Sequence, residues 1–184
     1  MASQITRRGI LGLGAVAGMS IVVGRPALAS APPRALKLRN IHTGESFAAT
    51  YWADGAYVPE ALGEIRKVLR DHRSGEMHEI SPRLLDLLAD LRARLDTVEP
   101  FEVISGYRSP KTNGLMRKAK HGVAKRSLHM TGEAIDIRLP GRDLARLNKA
   151  ALAFGRGGVG YYPKSDFVHV DVGPVRHWGQ PRLV

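Results

Sequence analysis

The 184-residue chain contains no cysteine. That excludes a thiol nucleophile, a disulfide framework and any cysteine-ligated zinc. Stability must come from a core, with or without a metal. Acids are also scarce, with 17 Asp and Glu against 28 Lys and Arg, for a formal charge of +11. No internal repeat or long low-complexity run stands out. The main apolar run, Gly9 to Val23, is short for a membrane span and ends in Gly24-Arg25-Pro26. What is present is an ordinary globular composition, 43% hydrophobic and 24% charged, in a length that suits one domain with a sizeable core.

Residues 1–29 read as a targeting segment. A basic start precedes the apolar run, and Ala27-Leu28-Ala29 forms an A-x-A cleavage site. Arg7-Arg8 followed by Gly9, Ile10 and Leu11 resembles a twin-arginine export signal. The expected mature domain is then 30–184, exported to the periplasm, with no stable membrane insertion after cleavage. Removing Arg7, Arg8 and Arg25 from the +11 leaves +8 on that domain. For an exported protein such a charge suits an anionic cell-wall polymer better than nucleic acid. The most basic stretch, 117–126, is a candidate rim for such a polymer.

The mature region predicts two strands around a turn at Thr43-Gly44, then amphipathic helices over 58–73 and 81–96. Ser81 is placed to cap the second helix, with Pro82 in its first turn and Leu84, Leu88, Leu91 and Leu95 as its core stripe. A strand ending at Gly106, a basic helix over 111–120, a strand over 133–139 and a helix over 141–154 follow. Strands at 157–162 and 167–173 close the pattern. Without regular β-α-β alternation, the order implies an α+β fold with a small antiparallel sheet packed against helices.

Two strands carry the chemistry. In "EAIDIRL", alternation puts Ile135 and Ile137 on one face and Asp136 on the other. His129 precedes a break at Gly132 that lets the chain fold back toward Asp136. In "FVHVDVG", Val168, Val170 and Val172 share one face, and Phe167, His169 and Asp171 the other. If the strands are neighbours, His129, Asp136 and His169 converge. Two imidazoles and a carboxylate suit Zn2+ and leave a fourth position open, as in catalytic sites. The plainer alternatives are an Asp136–Arg138 pair and a His169 hydrogen-bonded in the core. In "VISGYRSP", Arg108 sits on a loop after a strand, placed to bind a carboxylate or a developing oxyanion. Tyr161 or Tyr162 could donate to a substrate, while His42, His72 and His78 read as structural or solvated.

Together these pieces resemble the zinc peptidases of the D-Ala-D-Ala carboxypeptidase and murein endopeptidase superfamily, which share the hedgehog/DD-peptidase fold. The shared pattern is Ser127, His129, Gly132, Ala134 and Asp136, then His169 on a late strand, with "SGYRS" at 105–109. The hairpin "IHTGES" and the tail "GPVRHW" add a likeness to the YcbK-type branch of murein endopeptidases. The resemblance implies zinc on His129, Asp136 and His169, with Arg108 on the substrate. It implies peptidoglycan as partner and hydrolysis of an amide in its stem peptides or cross-links. The general base departs from the pattern. Asp166 stands where some relatives have glutamate, three residues before His169. Asp171 shares the His169 face, and alternation favours it; both stay open. Two other readings stand beside an endopeptidase: a D,D- or L,D-carboxypeptidase trimming a terminal residue, and a non-catalytic zinc-containing wall-binding module.

Overall fold

The computed structural model describes residues 31–119 and 123–179, so the segment 1–29 lies outside the described residues. The chain opens with β1 (Arg34–Asn40), β2 (Ser46–Ala53) and the short β3 (Ala56–Tyr57). Helices α1 (Pro59–Val68) and α2 (Pro82–Arg94) follow, then β4 (Phe101–Ser105) and α3 (Pro110–Ala119). A 3-10 turn, Leu128–Thr131, leads into β5 (Ala134–Arg138). Then come α4 (Leu144–Phe154), β6 (Gly158–Tyr162), β7 (Phe167–Asp171) and β8 (Arg176–Trp178).

The α+β expectation holds, and the sheet is larger than expected. Among the described residues, eight strands lie in the order β3-β2-β1-β4-β5-β7-β6-β8. Most neighbours are antiparallel, but β1–β4 and β6–β8 are parallel. For β1–β4 the reason is connectivity: the chain passes through β2, β3 and two helices and returns beside β1 in the same direction.

Strand alternation builds the core. Leu36, Leu38, Phe101, Val103, Ile135, Ile137, Val168 and Val170 are fully enclosed, and with α1, α2 and α4 they form one apolar cluster. The predicted stripe on α2 is entirely buried, from Leu84 through Leu95. Each such leucine contributes roughly 1.5–3 kcal/mol through burial. Ser81 holds the N-cap position and Pro82 begins the helix, as expected, but the Ser81 side chain makes no capping hydrogen bond. Its backbone N–H donates instead to the Gly132 carbonyl at 2.9 Å, tying α2 to the turn beside the site.

Helix α1 ends at Val68, short of the expected Arg73. The Leu69 carbonyl accepts the Tyr107 N–H at 2.7 Å, a partner no local pattern reveals. The released segment carries Asp71, which is buried. His72 and His78 are not simply solvated. His72 stacks on His42 at 3.9 Å between centroids, and His78 on Tyr107 at 4.9 Å.

Candidate metal and active site

Register brings the predicted residues together. Strands β5 and β7 are antiparallel neighbours, and Asp136 lies directly opposite His169. Both point away from the apolar layer, because Ile135 and Ile137 face Val170 and Val168 within it. His129 arrives from the 3-10 turn. Gly132 ends that turn with φ of +66°, and a Cβ there would collide with the Glu79 carbonyl oxygen. Only glycine meets both demands.

Three atoms form a tight triangle. His129 Nε2 lies 3.2 Å from His169 Nδ1 and 3.3 Å from Asp136 Oδ1, and His169 Nδ1 lies 2.8 Å from Asp136 Oδ1. Around a tetrahedral zinc with ligand distances near 2.0–2.1 Å, donor atoms stand about 3.3 Å apart. The donor set and its spacing therefore fit a metal. The far side of each ring is also committed. His129 Nδ1 lies 2.7 Å from the Gly106 carbonyl, and His169 Nε2 lies 2.9 Å from Asp171 Oδ2. With those acceptors behind each ring, the inward nitrogens are free to ligate, the arrangement that orients metal-binding histidines.

The electrostatics agree. Burial works to raise the Asp136 pKa, but His129 and His169 outweigh it and hold the carboxyl well below the usual range. Burial works to lower the His169 pKa, yet hydrogen bonds to Asp136 and Asp171 push it up to about 9 in the metal-free chain. The Asp136–Arg138 pair does not form, whereas His169 is buried and hydrogen-bonded on both sides. Arg138 pairs with Glu102 and Asp166 instead of Asp136, at 2.7 and 3.1 Å.

Arg108 forms part of the cavity lining and is only 7% exposed. Its contacts are long: 3.4 Å to Ser105 Oγ, 3.4 Å to Asn113 Oδ1 and 3.7 Å to Asp136 Oδ2. Its Nε has no hydrogen-bond partner among the described residues. Burial pulls the guanidinium pKa down, but arginine keeps its charge in proteins. Its loop is held by Asp71, whose Oδ2 accepts the Ser109 N–H at 2.9 Å. Asp71 was hidden in the sequence by the apparent continuation of α1.

Neither candidate base faces the cavity. Asp171 is fully enclosed. Its oxygens accept from His169, the Gly158 and Gly173 N–H groups, and Arg176. Burial opposes its ionisation, but these donors hold its pKa below the usual range. Asp166 sits in a left-handed turn at φ +52°, its side chain 63% exposed and paired with Arg138. Neither lines the cavity of about 690 Å³ that opens over the three metal-capable residues.

Tyr162 does line it, whereas Tyr161 packs against the core. Trp178 Nε1–H donates to the Tyr162 hydroxyl at 2.7 Å, and the indole lies 5.2 Å from the His169 ring. Gly160 makes room for it, because a Cβ there would stand 2.5 Å from the indole. Strand β8, unforeseen in the sequence, thus walls the cleft.

A family model described as peptidoglycan L,D-endopeptidase MepK matches residues 28–178. The MepK protein of Escherichia coli strain K12, named a peptidoglycan L,D-endopeptidase, is 45% identical over 175 residues. That alignment covers 94% of this chain and 96% of the relative. A probable MepK of Haemophilus influenzae is 40% identical over 176 residues, covering 94% and 95% of the two chains. The match spans the hairpin, both site strands and β8, and on that extent the chain belongs to the peptidoglycan L,D-endopeptidase MepK family.

Proposed function

We propose that this protein is a zinc-dependent murein endopeptidase that hydrolyses an L,D amide bond in peptidoglycan cross-links. The observation that carries this reading is the His129–Asp136–His169 triangle, open to a cavity, in a chain similar over 94% of its length to a named L,D-endopeptidase. His129 Nε2, His169 Nδ1 and an Asp136 oxygen would hold the ion. The chemistry supplied by bound zinc is Lewis acidity toward a carbonyl and toward water.

The chain's own groups do the rest. Gly106 and Asp171 fix the two imidazoles, so the ligand set is built before substrate arrives. Arg108, buried and under-partnered, stabilises the negative charge that develops on the scissile carbonyl oxygen. The Tyr162 hydroxyl is oriented by Trp178 toward the same cleft. Asp171 acts through His169 as a positioning residue, and Asp166 lies outside the lining.

The export reading stays part of the proposal: residues 1–29 carry the protein to the periplasm through a twin-arginine-type signal. Among the described residues no helix is long and apolar enough to cross a membrane.

The test is Asp136→Asn and His129→Ala, each assayed for metal content and for cleavage of L,D cross-linked muropeptide dimers. Loss of both properties together supports the reading. Full cleavage by a variant that no longer binds metal would sink it. Release of a single terminal amino acid in place of cross-link opening would show a carboxypeptidase.

A further inference from the structure

The cleft beside the three metal-capable residues is strongly one-sided in charge. Among the described residues its ionisable lining includes Arg73, Arg108, Arg126 and Arg176, against the single carboxylate of Asp136. A divalent ion on the ligand set makes the imbalance larger. Arg108 and Arg176 already have work inside the protein, on the Ser105–Asn113 loop and on Asp171. Arg73 and Arg126 do not: both side chains are exposed, and neither pairs with an acid among the described residues.

These two arginines come from separate segments, and each segment is anchored to the site. The Arg73 N–H donates to Asp71 Oδ1 at 3.0 Å, while the other oxygen of Asp71 holds the Ser109 N–H beside Arg108. One buried carboxylate therefore sets the Arg73 backbone and the Arg108 loop together. Arg126 precedes Ser127, whose carbonyl accepts the Met130 N–H at 3.0 Å at the start of the turn that carries His129. Around them, Ile104, Met116, Val123, Leu128 and Phe167 supply low-dielectric walls. Such walls focus a cationic field into the recess and strengthen forked arginine–carboxylate pairs.

We propose that Arg73 and Arg126 form a carboxylate-recognition subsite, selecting stem peptides whose side-chain and α-carboxylates are free over those in which they are amidated. The proposal rests on the endopeptidase reading and names the substrate class of that same cleft. Amidation removes the charge and turns an acceptor-only group into one that presents N–H donors to arginine, which itself can only donate. Selection follows from that mismatch.

The experiment compares two L,D cross-linked muropeptide dimers, one with free carboxylates and one with those carboxylates amidated, on the metal-loaded protein. Cleavage rates and direct binding by calorimetry are both read. The free dimer is expected to have roughly 10-fold higher kcat/KM, expressed mainly in KM. In the double variant Arg73→Gln/Arg126→Gln the two dimers become equivalent, with metal content unchanged. Equal kcat/KM for both dimers on the unaltered protein overturns the proposal, as does discrimination that survives in the double variant. Cleavage of neither dimer counts against the endopeptidase reading instead, and the binding of the uncleaved dimers then decides the subsite.

Discussion

His169 is held from both sides, by Asp136 at 2.8 Å and Asp171 at 2.9 Å. With its pKa pushed up to about 9, the metal-free ring carries a proton at neutral pH. A metal must displace that proton. Metal binding at pH 7 should therefore release about one proton, and apparent affinity should rise with pH until about 9. Calorimetry in buffers of different ionisation enthalpy measures this directly, and zero proton release would contradict it. The same shift has a folding consequence. A raised pKa contributes stability fully below the ordinary value of 6.5, and that stability is lost as pH rises through about 9. Chelated protein should thus melt at a lower temperature at pH 9 than at pH 6.5. Asp171→Ala removes the acceptor behind His169 and should weaken metal binding ~10–100-fold. Asp166→Asn should leave cleavage nearly unchanged. A large loss of activity with metal retained in Asp166→Asn would return that residue to the role of base.

At the scale of elements, much was legible because alternation is a local property. Val168, Val170 and Val172 against His169 and Asp171 predict a half-buried strand, and the same logic puts Asp136 opposite Ile135 and Ile137. The two strands do pair, in the register that sets Asp136 against His169. What local pattern hid was long-range pairing. The end of α1 depends on the Leu69 carbonyl meeting Tyr107, and with it the role of Asp71. Strand β8 is three residues long and exists through its parallel pairing with β6. The burial of Asp171 comes from β6 and Arg176, so strand alternation alone could show its face but not what lies on that face. Two substitutions separate core from wall. Leu88→Ala should cost ~2–5 kcal/mol in denaturant unfolding and leave metal stoichiometry intact. Gly160→Val should displace Trp178 from the cleft, lowering activity more than stability; a fully active variant would remove β8 from the account.

Over the whole molecule, the apolar layer with α1, α2 and α4 makes a rigid back, and the opposite face of the same strands carries the chemistry. The division lets a small domain without disulfides hold three ionisable, metal-capable side chains within hydrogen-bond reach of one another. Among the described residues, four arginines and one carboxylate line the cleft. Raising salt should therefore raise KM for an anionic dimer while kcat changes little, because screening acts on encounter and grip. At the cellular level, exchanging Arg7 and Arg8 for lysine should leave the protein in the cytoplasmic fraction, where immunoblotting of fractions would find it. Unchanged export in that variant would exclude the twin-arginine route. The central claim is that three residues, His129, Asp136 and His169, form a zinc site that opens L,D cross-links. Its most direct test is mass spectrometry of an L,D cross-linked muropeptide dimer incubated with one preparation of the protein, metal-depleted and then reconstituted with zinc. Intact dimer is expected before zinc and two separated stem peptides after it. Equal cleavage in the depleted and reconstituted samples, or an intact dimer in both, would contradict it.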